Sequence, residues 1–255
     1  MNKTIRVKVG IVLFIFIAMA VNSAALAAPE YPIPRLNMDL GPAENPQDVA
    51  ASLQILFILT ILSLAPAILI MMTSFTRIII ILSFLRNALG TQQTPPNQVL
   101  VGLALFLTLF IMAPIGTTIN DQAIQPYLRE EISQDIAIQR AILPLREFML
   151  NNTREKDLAL FVTLSGVEEV ETKEDIPTKA VIPAFIISEL KTAFQFGFLI
   201  YIPFLVIDMV VASTLMSMGM MMLPPIMISL PFKVLLFVMV DGWNLITQSI
   251  VMSFR

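Results

Sequence analysis

Apolar residues run along this chain in long stretches separated by short polar or proline-bearing segments. The stretch 53–72 carries Pro66 inside it, and 78–85 continues it after Arg77. A second stretch, 99–119, has Pro114 near its end. Between 53 and 119 the only charged residues are Arg77 and Arg86, both of which we place near the turn Gly90-Thr-Gln-Gln-Thr-Pro-Pro96. The pattern predicts a helical hairpin over 51–119, long enough to cross an apolar layer of about 30 Å, with helix breakers at its tip. The two arginines there suit a cytoplasmic side.

Residues 120–180 differ in kind. They hold seven basic and twelve acidic residues, and apolar positions recur at helical spacing through Ile124, Leu128, Ile132, Ile136, Ile142, Leu145, Phe148 and Met149. Glu168, Glu169, Glu171, Glu174 and Asp175 make an acidic turn before Pro177. We expect a small extracytoplasmic helical region whose acids form a solvated face, since they lack the spacing of a calcium loop. The last segment, 181–255, is apolar again but punctuated by Pro183, Pro203, Pro224, Pro225 and Pro231. Repeated breaks expose backbone groups that only neighbouring protein or a watery cavity can satisfy. A second, proline-broken hairpin packed inside an assembly is the expectation. The fold class that follows is all-α and membrane-associated, built of kinked helical hairpins.

The start of the chain reads differently. Lys3, Arg6 and Lys8 precede an apolar core at 9–21 and the small-residue run Ser23-Ala-Ala-Leu-Ala27-Ala28. This is the pattern of a cleavable signal peptide, 1–27, cut between Ala27 and Ala28, because a later cut would place Pro29 first. Cleavage would remove three of the sixteen basic residues and none of the nineteen acidic ones. Residues 28–50, with Pro29, Glu30, Pro32, Pro34 and Asp39, read as an extended arm.

Composition narrows function. Hydrophobic residues make up 56% and charged ones 14%, against about 25% charged in soluble chains. Neither Cys nor His is present, which excludes disulfides, thiolate catalysis, Cys/His zinc sites and His-activated nucleophiles. A formal charge of −3 with no basic run argues against nucleic acid. Transport, channel and scaffold roles stay in front, and no cofactor is expected.

Glu189, Lys191, Asp208, Lys233 and Asp241 fall in or beside the apolar stretches, where an uncompensated charge costs about 2.5–3.5 kcal/mol on insertion scales. Three anions face two cations in this set. Glu189 with Lys233, across the hairpin or between copies, is the preferred pair; the alternative is that Glu189 and Lys191 snorkel to a headgroup layer. Met216-Ser-Met218-Gly219-Met220-Met221-Met222 places five methionines around a glycine, just before Leu223-Pro224-Pro225. Glycine and prolines make this a loop between helices. Methionine is unbranched and re-packs readily, so such loops around a symmetric ring would form a deformable apolar plug. Ordinary core packing is the competing reading.

Pro183-Ala-Phe-Ile-Ile-Ser-Glu189-Leu-Lys-Thr-Ala-Phe-Gln-Phe-Gly197-Phe resembles the first signature of the FliP family, flagellar members of the type III secretion export gate. Pro203-Phe-Leu-Val-Ile-Asp208-Met-Val-Val-Ala-Ser213, the methionine loop, Leu230-Pro-Phe-Lys233 and Val240-Asp-Gly-Trp243 are similar to the same family. So are Thr73-Ser-Phe-Thr-Arg77 and Gln92-Gln-Thr-Pro-Pro-Asn97 upstream. Phe196 stands where the family commonly has Ile or Met. The resemblance covers nearly all of the chain after the signal peptide. It implies a helical, pentameric ring of this chain with FliQ- and FliR-like subunits. It also implies FlhA- and FlhB-like export components as partners and unfolded flagellar proteins as substrates. The ring is expected at the bacterial inner membrane, within the flagellar basal body and raised toward the periplasmic side. Met220, Met221 and Met222, with Met218, match the family's pore constriction. Glu189 and Lys233 match positions joining neighbouring copies, and Phe148 and Phe161 support ring contacts. A virulence-type injectisome gate is the close alternative. A secondary transporter would show two related halves, and none is visible. An intramembrane aspartyl protease could propose Asp208 and Asp241, yet their G-x-G-D context is missing.

Overall fold

The computed structural model describes residues 46–91, 93–166, 172–173, 175–220 and 222–254. The expected signal peptide with Ala27 and Ala28, most of the expected arm, four of the acidic-turn glutamates and Met221 lie outside the described residues. The chain divides into Met1–Leu53 and Gln54–Arg255, and of the first only the opening turns of helix α1 are described. All regular structure among the described residues is helical.

Helix α1, Pro46–Met71, continues through Pro66. From Leu56 to Leu62 it shows Leu56, Phe57, Ile58, Leu59 and Leu62 exposed. The chain breaks at Met72–Ser74 and restarts as α2, Phe75–Leu89. This short helix is the centre of the core. Ile78, Ile81, Leu82, Leu85, Ala88 and Leu89 are all buried on it, the spacing of a helix that hides one broad face. It ends on Gly90, whose φ of 75° no β-carbon tolerates cheaply. Helix α3, Asn97–Ile119, passes through Pro114 and runs into a π-turn, Asn120–Ile124, and the short α4, Gln125–Leu128.

Two further helices, α5 (Gln134–Asn151) and α6 (Glu155–Leu164), follow. Glu155 and Asp157 in the first turn of α6 suit the positive end of its dipole. Helix α7, Thr178–Ser217, spans 40 residues, about 60 Å. Helices α8, Pro225–Met239, and α9, Gly242–Met252, complete the chain and meet at a 64° bend. Asn97–Leu128 and Thr178–Ser217 are long and apolar enough to cross a membrane, and the bent pair α8–α9 would make a third span if it acts as one.

Pro183 and Pro203 lie inside α7 without ending it. Each removes a single donor, whereas stopping the helix there would strand several backbone groups in apolar surroundings. Continuation is the lesser cost. The true interruptions fall at 218–224 and 240–241, where Gly219 (φ 74°) and Asp241 (φ 49°) adopt left-handed backbone.

Two apolar clusters hold these helices. One joins α2 to α3, α7, α8 and α9 through Leu82, Leu100, Ala193, Phe204, Phe237 and Ile250. The other lays α5 and α6 on the first turns of α7 through Phe148, Met149, Leu158, Val181, Ala184 and Phe185. Arg146 of α5 reinforces the second, donating to Thr178 Oγ1 at 3.0 Å and to the Ile176 carbonyl. Helices α2 and α7 pack tightly at Gly197, where an added β-carbon would lie 2.5 Å from the Phe84 ring. Phe84 also meets Phe194 edge-on at 5.2 Å.

Substituting Gly197→Val should therefore force the α2–α7 contact apart and lower stability by about 1–3 kcal/mol. Thermal unfolding in detergent checks this, and Gly197→Ala combined with Phe84→Ala should recover more than half of the loss.

Candidate functional site

Helix α2 begins inside an apolar run, yet Arg77 lies in its first turn, 3% exposed. The helix is about 22 Å long, so Arg77 stands at the end away from Gly90. Only Arg86 remains beside the turn, donating to the Pro95 carbonyl and Asn97 Oδ1 at 3.3 Å each. This corrects the expected placement of both arginines at the tip.

The Arg77 guanidinium is met on every side. Its Nε donates to Glu189 Oε2 at 2.8 Å and its Nη2 to Glu189 Oε1, a two-pronged contact with a fully buried carboxylate. Nη1 donates to the carbonyl and hydroxyl of Ser253 at 2.9 and 3.0 Å. The Phe254 ring lies 3.8 Å from the guanidinium carbon, close enough for a cation–π contribution. Phe254 stacks on Phe148 at 6.0 Å, and Phe148 meets Phe185 at 5.9 Å. One cation thus gathers α2, α7, the residues after α9 and, through Phe148, α5.

Within the chain Glu189 pairs with Arg77, not with Lys233. The reason is positional: Glu189 sits in the first third of α7, beside the start of α2, whereas Lys233 on α8 reaches the other end of α2. Lys233, 3% exposed, donates to Asp208 Oδ2 at 2.7 Å and to the Ala88 carbonyl at 3.1 Å. A cation against the last turn of a helix meets the negative end of its dipole. Ser229 Oγ completes the cluster at 2.6 Å from Asp208 Oδ1. Paired opposite charges and several hydrogen bonds to each cation are what allow such charges to remain in low-dielectric surroundings.

Lys191 is exposed and approaches Asp157 Oδ1 at 3.9 Å. Nearby, the Arg154 backbone N–H donates to Ser188 Oγ at 2.9 Å, and its guanidinium donates to Gln195 Oε1. A polar stripe of α7 thus receives the start of α6. Phe148 is 8% exposed, its ring used inside the chain, and Phe161 is half-buried against the same cluster. Asp208 and Asp241 have separate partners, Asp241 Oδ2 accepting from Asn244 at 3.2 Å, so they form no carboxylate dyad of the protease kind. No group of residues suited to hold a metal ion occurs among the described residues.

The methionine segment closes α7. Gly219 donates to the Met216 carbonyl and Met220 to the Leu215 carbonyl, both at 3.0 Å. With Gly219 left-handed, these are the paired bonds of a Schellman cap. The cap ends the helix cleanly and turns the following residues outward. Met216, Met218, Met220 and Met222 are all exposed, Met222 to 99%. None serves as core packing within the chain.

Arg77 and Ser229 are the members of these buried polar clusters that sequence reasoning does not single out. The charge count held a signal: three anions against two cations left one carboxylate without a partner, and the nearest spare cation was the arginine assigned to the tip.

A family model described as FliP family matches residues 58–250. Flagellar biosynthetic protein FliP of Bacillus subtilis (strain 168) is 59% identical over 212 residues, 83% of this chain and 96% of that one. The protein of the same name from Pectobacterium carotovorum subsp. carotovorum is 57% identical over 208 residues, covering 82% and 81% of the two chains. That of Aquifex aeolicus (strain VF5) is 50% identical over 225 residues, covering 88% and 92%.

Removing Arg77 leaves Glu189 buried and unpaired. Arg77→Ala should cost about 3–5 kcal/mol and sharply reduce the yield of folded protein from detergent extracts. Because Glu189 and Lys233 are not partners within the chain, Glu189→Lys combined with Lys233→Glu should fail to restore that yield, which immunoblotting against each single variant would report.

Proposed function

The chain belongs to the FliP family, and from that membership we propose that it is a pore-forming core subunit of the flagellar protein export gate. Copies of it, with FliQ- and FliR-like subunits, form a ring at the bacterial inner membrane. Unfolded flagellar proteins pass through that ring toward the periplasmic side. The chain performs no chemistry and takes no cofactor; its work is to stay closed until a substrate arrives.

One observation carries this reading. Four exposed methionines crowd the capped end of a 40-residue apolar helix, none of them buried among the described residues. A single chain gains nothing by placing flexible apolar side chains there. Brought together by symmetry, they would bury one another and exclude water, and a thioether chain with three rotatable bonds yields without bond strain when a polypeptide pushes through. Buried ion pairs in the body and soft apolar groups at the loop divide the labour between a rigid wall and a deformable seal.

The interruptions between helices at 72–74 and 240–241, rather than the prolines inside them, support a place inside a protein wall rather than in open lipid. The flagellar names of the relatives support the flagellar branch over a virulence-type system.

Replacing Met220, Met221 and Met222 together by Ala should raise ion conductance of reconstituted complexes by roughly tenfold or more, with native-gel migration of the assembly unchanged. A properly migrating complex whose conductance stays at the unsubstituted level would remove the sealing role.

A further inference from the structure

The polar ties of the hairpin that carries the methionine loop fall at one place. Among the described residues, every side-chain hydrogen bond joining α7 to α8 converges on Asp208, from Ser229 Oγ and Lys233 Nζ. Lys233 also fastens this point to α2 through the Ala88 carbonyl. The next turn of chain is packed against the same place, since a β-carbon on Gly90 would lie 3.8 Å from Ile226 and 3.9 Å from Lys233 Nζ.

An apolar groove runs alongside that tie. Val206, Ile207, Val210 and Thr214 of α7, with Ile228 and Phe232 of α8, line this open groove of about 500 Å³, which passes the tie on both sides. From Asp208 to the end of α7 is about 14 Å, and from Pro225 to Ser229 about 6 Å. Over that length no side-chain hydrogen bond joins the arms among the described residues, so they can slide or separate without leaving an unpaired charge. The pair itself cannot: parting it would strand a buried ammonium.

We propose that Asp208 and Lys233, with Ser229, are the positioning residues of the methionine loop. They pin both arms to the end of α2 and make this point the fulcrum about which the loop moves. The inference rests on the gate reading above. It assigns movement to the arms beyond the pin and stillness to the helices below it.

The chain contains no Cys, so two introduced cysteines give unique label sites. Spin labels at Met222→Cys in the loop and at Asn87→Cys on the exposed side of α2 report the loop's position by electron–electron dipolar spectroscopy. Assembled complexes are used, with labelled chains diluted in unlabelled ones. Asp208→Ala should widen the 87–222 distance distribution by roughly twofold or more, and Asp208→Glu should stay close to the unsubstituted width. A control pair, Asn87→Cys with Asn151→Cys, should not change. Where Asp208→Ala does not assemble, Asp208→Asn keeps the shape and the acceptor for Ser229 while removing the charge, and a widening confined to 87–222 is expected again. An unchanged 87–222 distribution overturns the proposal. So does equal widening of the control pair, which would mean general loosening of the core. The gate reading fails by a different measurement: unaltered conductance after methionine replacement would leave the distance result standing.

Discussion

Everything in this fold depends on keeping a guanidinium and a carboxylate together in surroundings that punish either alone. Arg77 and Glu189 come from positions 112 residues apart, and their contact requires α2, α7 and the residues after α9 to be in place at once. A buried pair of this kind adds little net stability over an apolar replacement, but its loss is severe. Its value is therefore in specifying one arrangement. A chain so rich in interchangeable Leu, Ile, Val and Phe could pack its helices in many registers; a two-pronged charge contact with Ser253 and Phe254 around it permits few.

The second cluster applies the same logic at the other end of α2. Lys233 draws on three sources of negative potential: the Asp208 carboxylate, the Ala88 carbonyl and the end of the helix dipole. Between the clusters, α2 is locked along its whole length, with Phe84 against Gly197 in the middle. Soft parts lie outside these locks. The methionine loop and the groove behind it contain no buried charge, so movement there leaves none stranded. In the proposed gate, that division lets a seal move while the wall stays closed.

Proline shows how far local signals carry. Pro183 and Pro203 read as breaks because each forbids one hydrogen bond, and in water that often ends a helix. In α7 the helix runs on through both prolines. At 218–224 glycine supplies the left-handed residue that a cap requires, so the interruption there was visible in the residues themselves. The α8–α9 bend was less so. Asp241 takes a left-handed conformation that its side chain only tolerates, and Gly242 sits where any β-carbon would strike Phe237.

The sequence alone determined the helical class, the apolar character, the loop between the last long helices and the family, because composition, periodicity and ordered motifs are properties of neighbouring residues. It also marked Glu189, Asp208 and Lys233 as charges in need of partners. Which partner each one took was decided by tertiary structure. The choice between Arg77 and Lys233 for Glu189 turns on which end of a 15-residue helix each cation occupies, and on how α7 crosses that helix. Those are distances through space between segments far apart in the chain, and no local pattern encodes them.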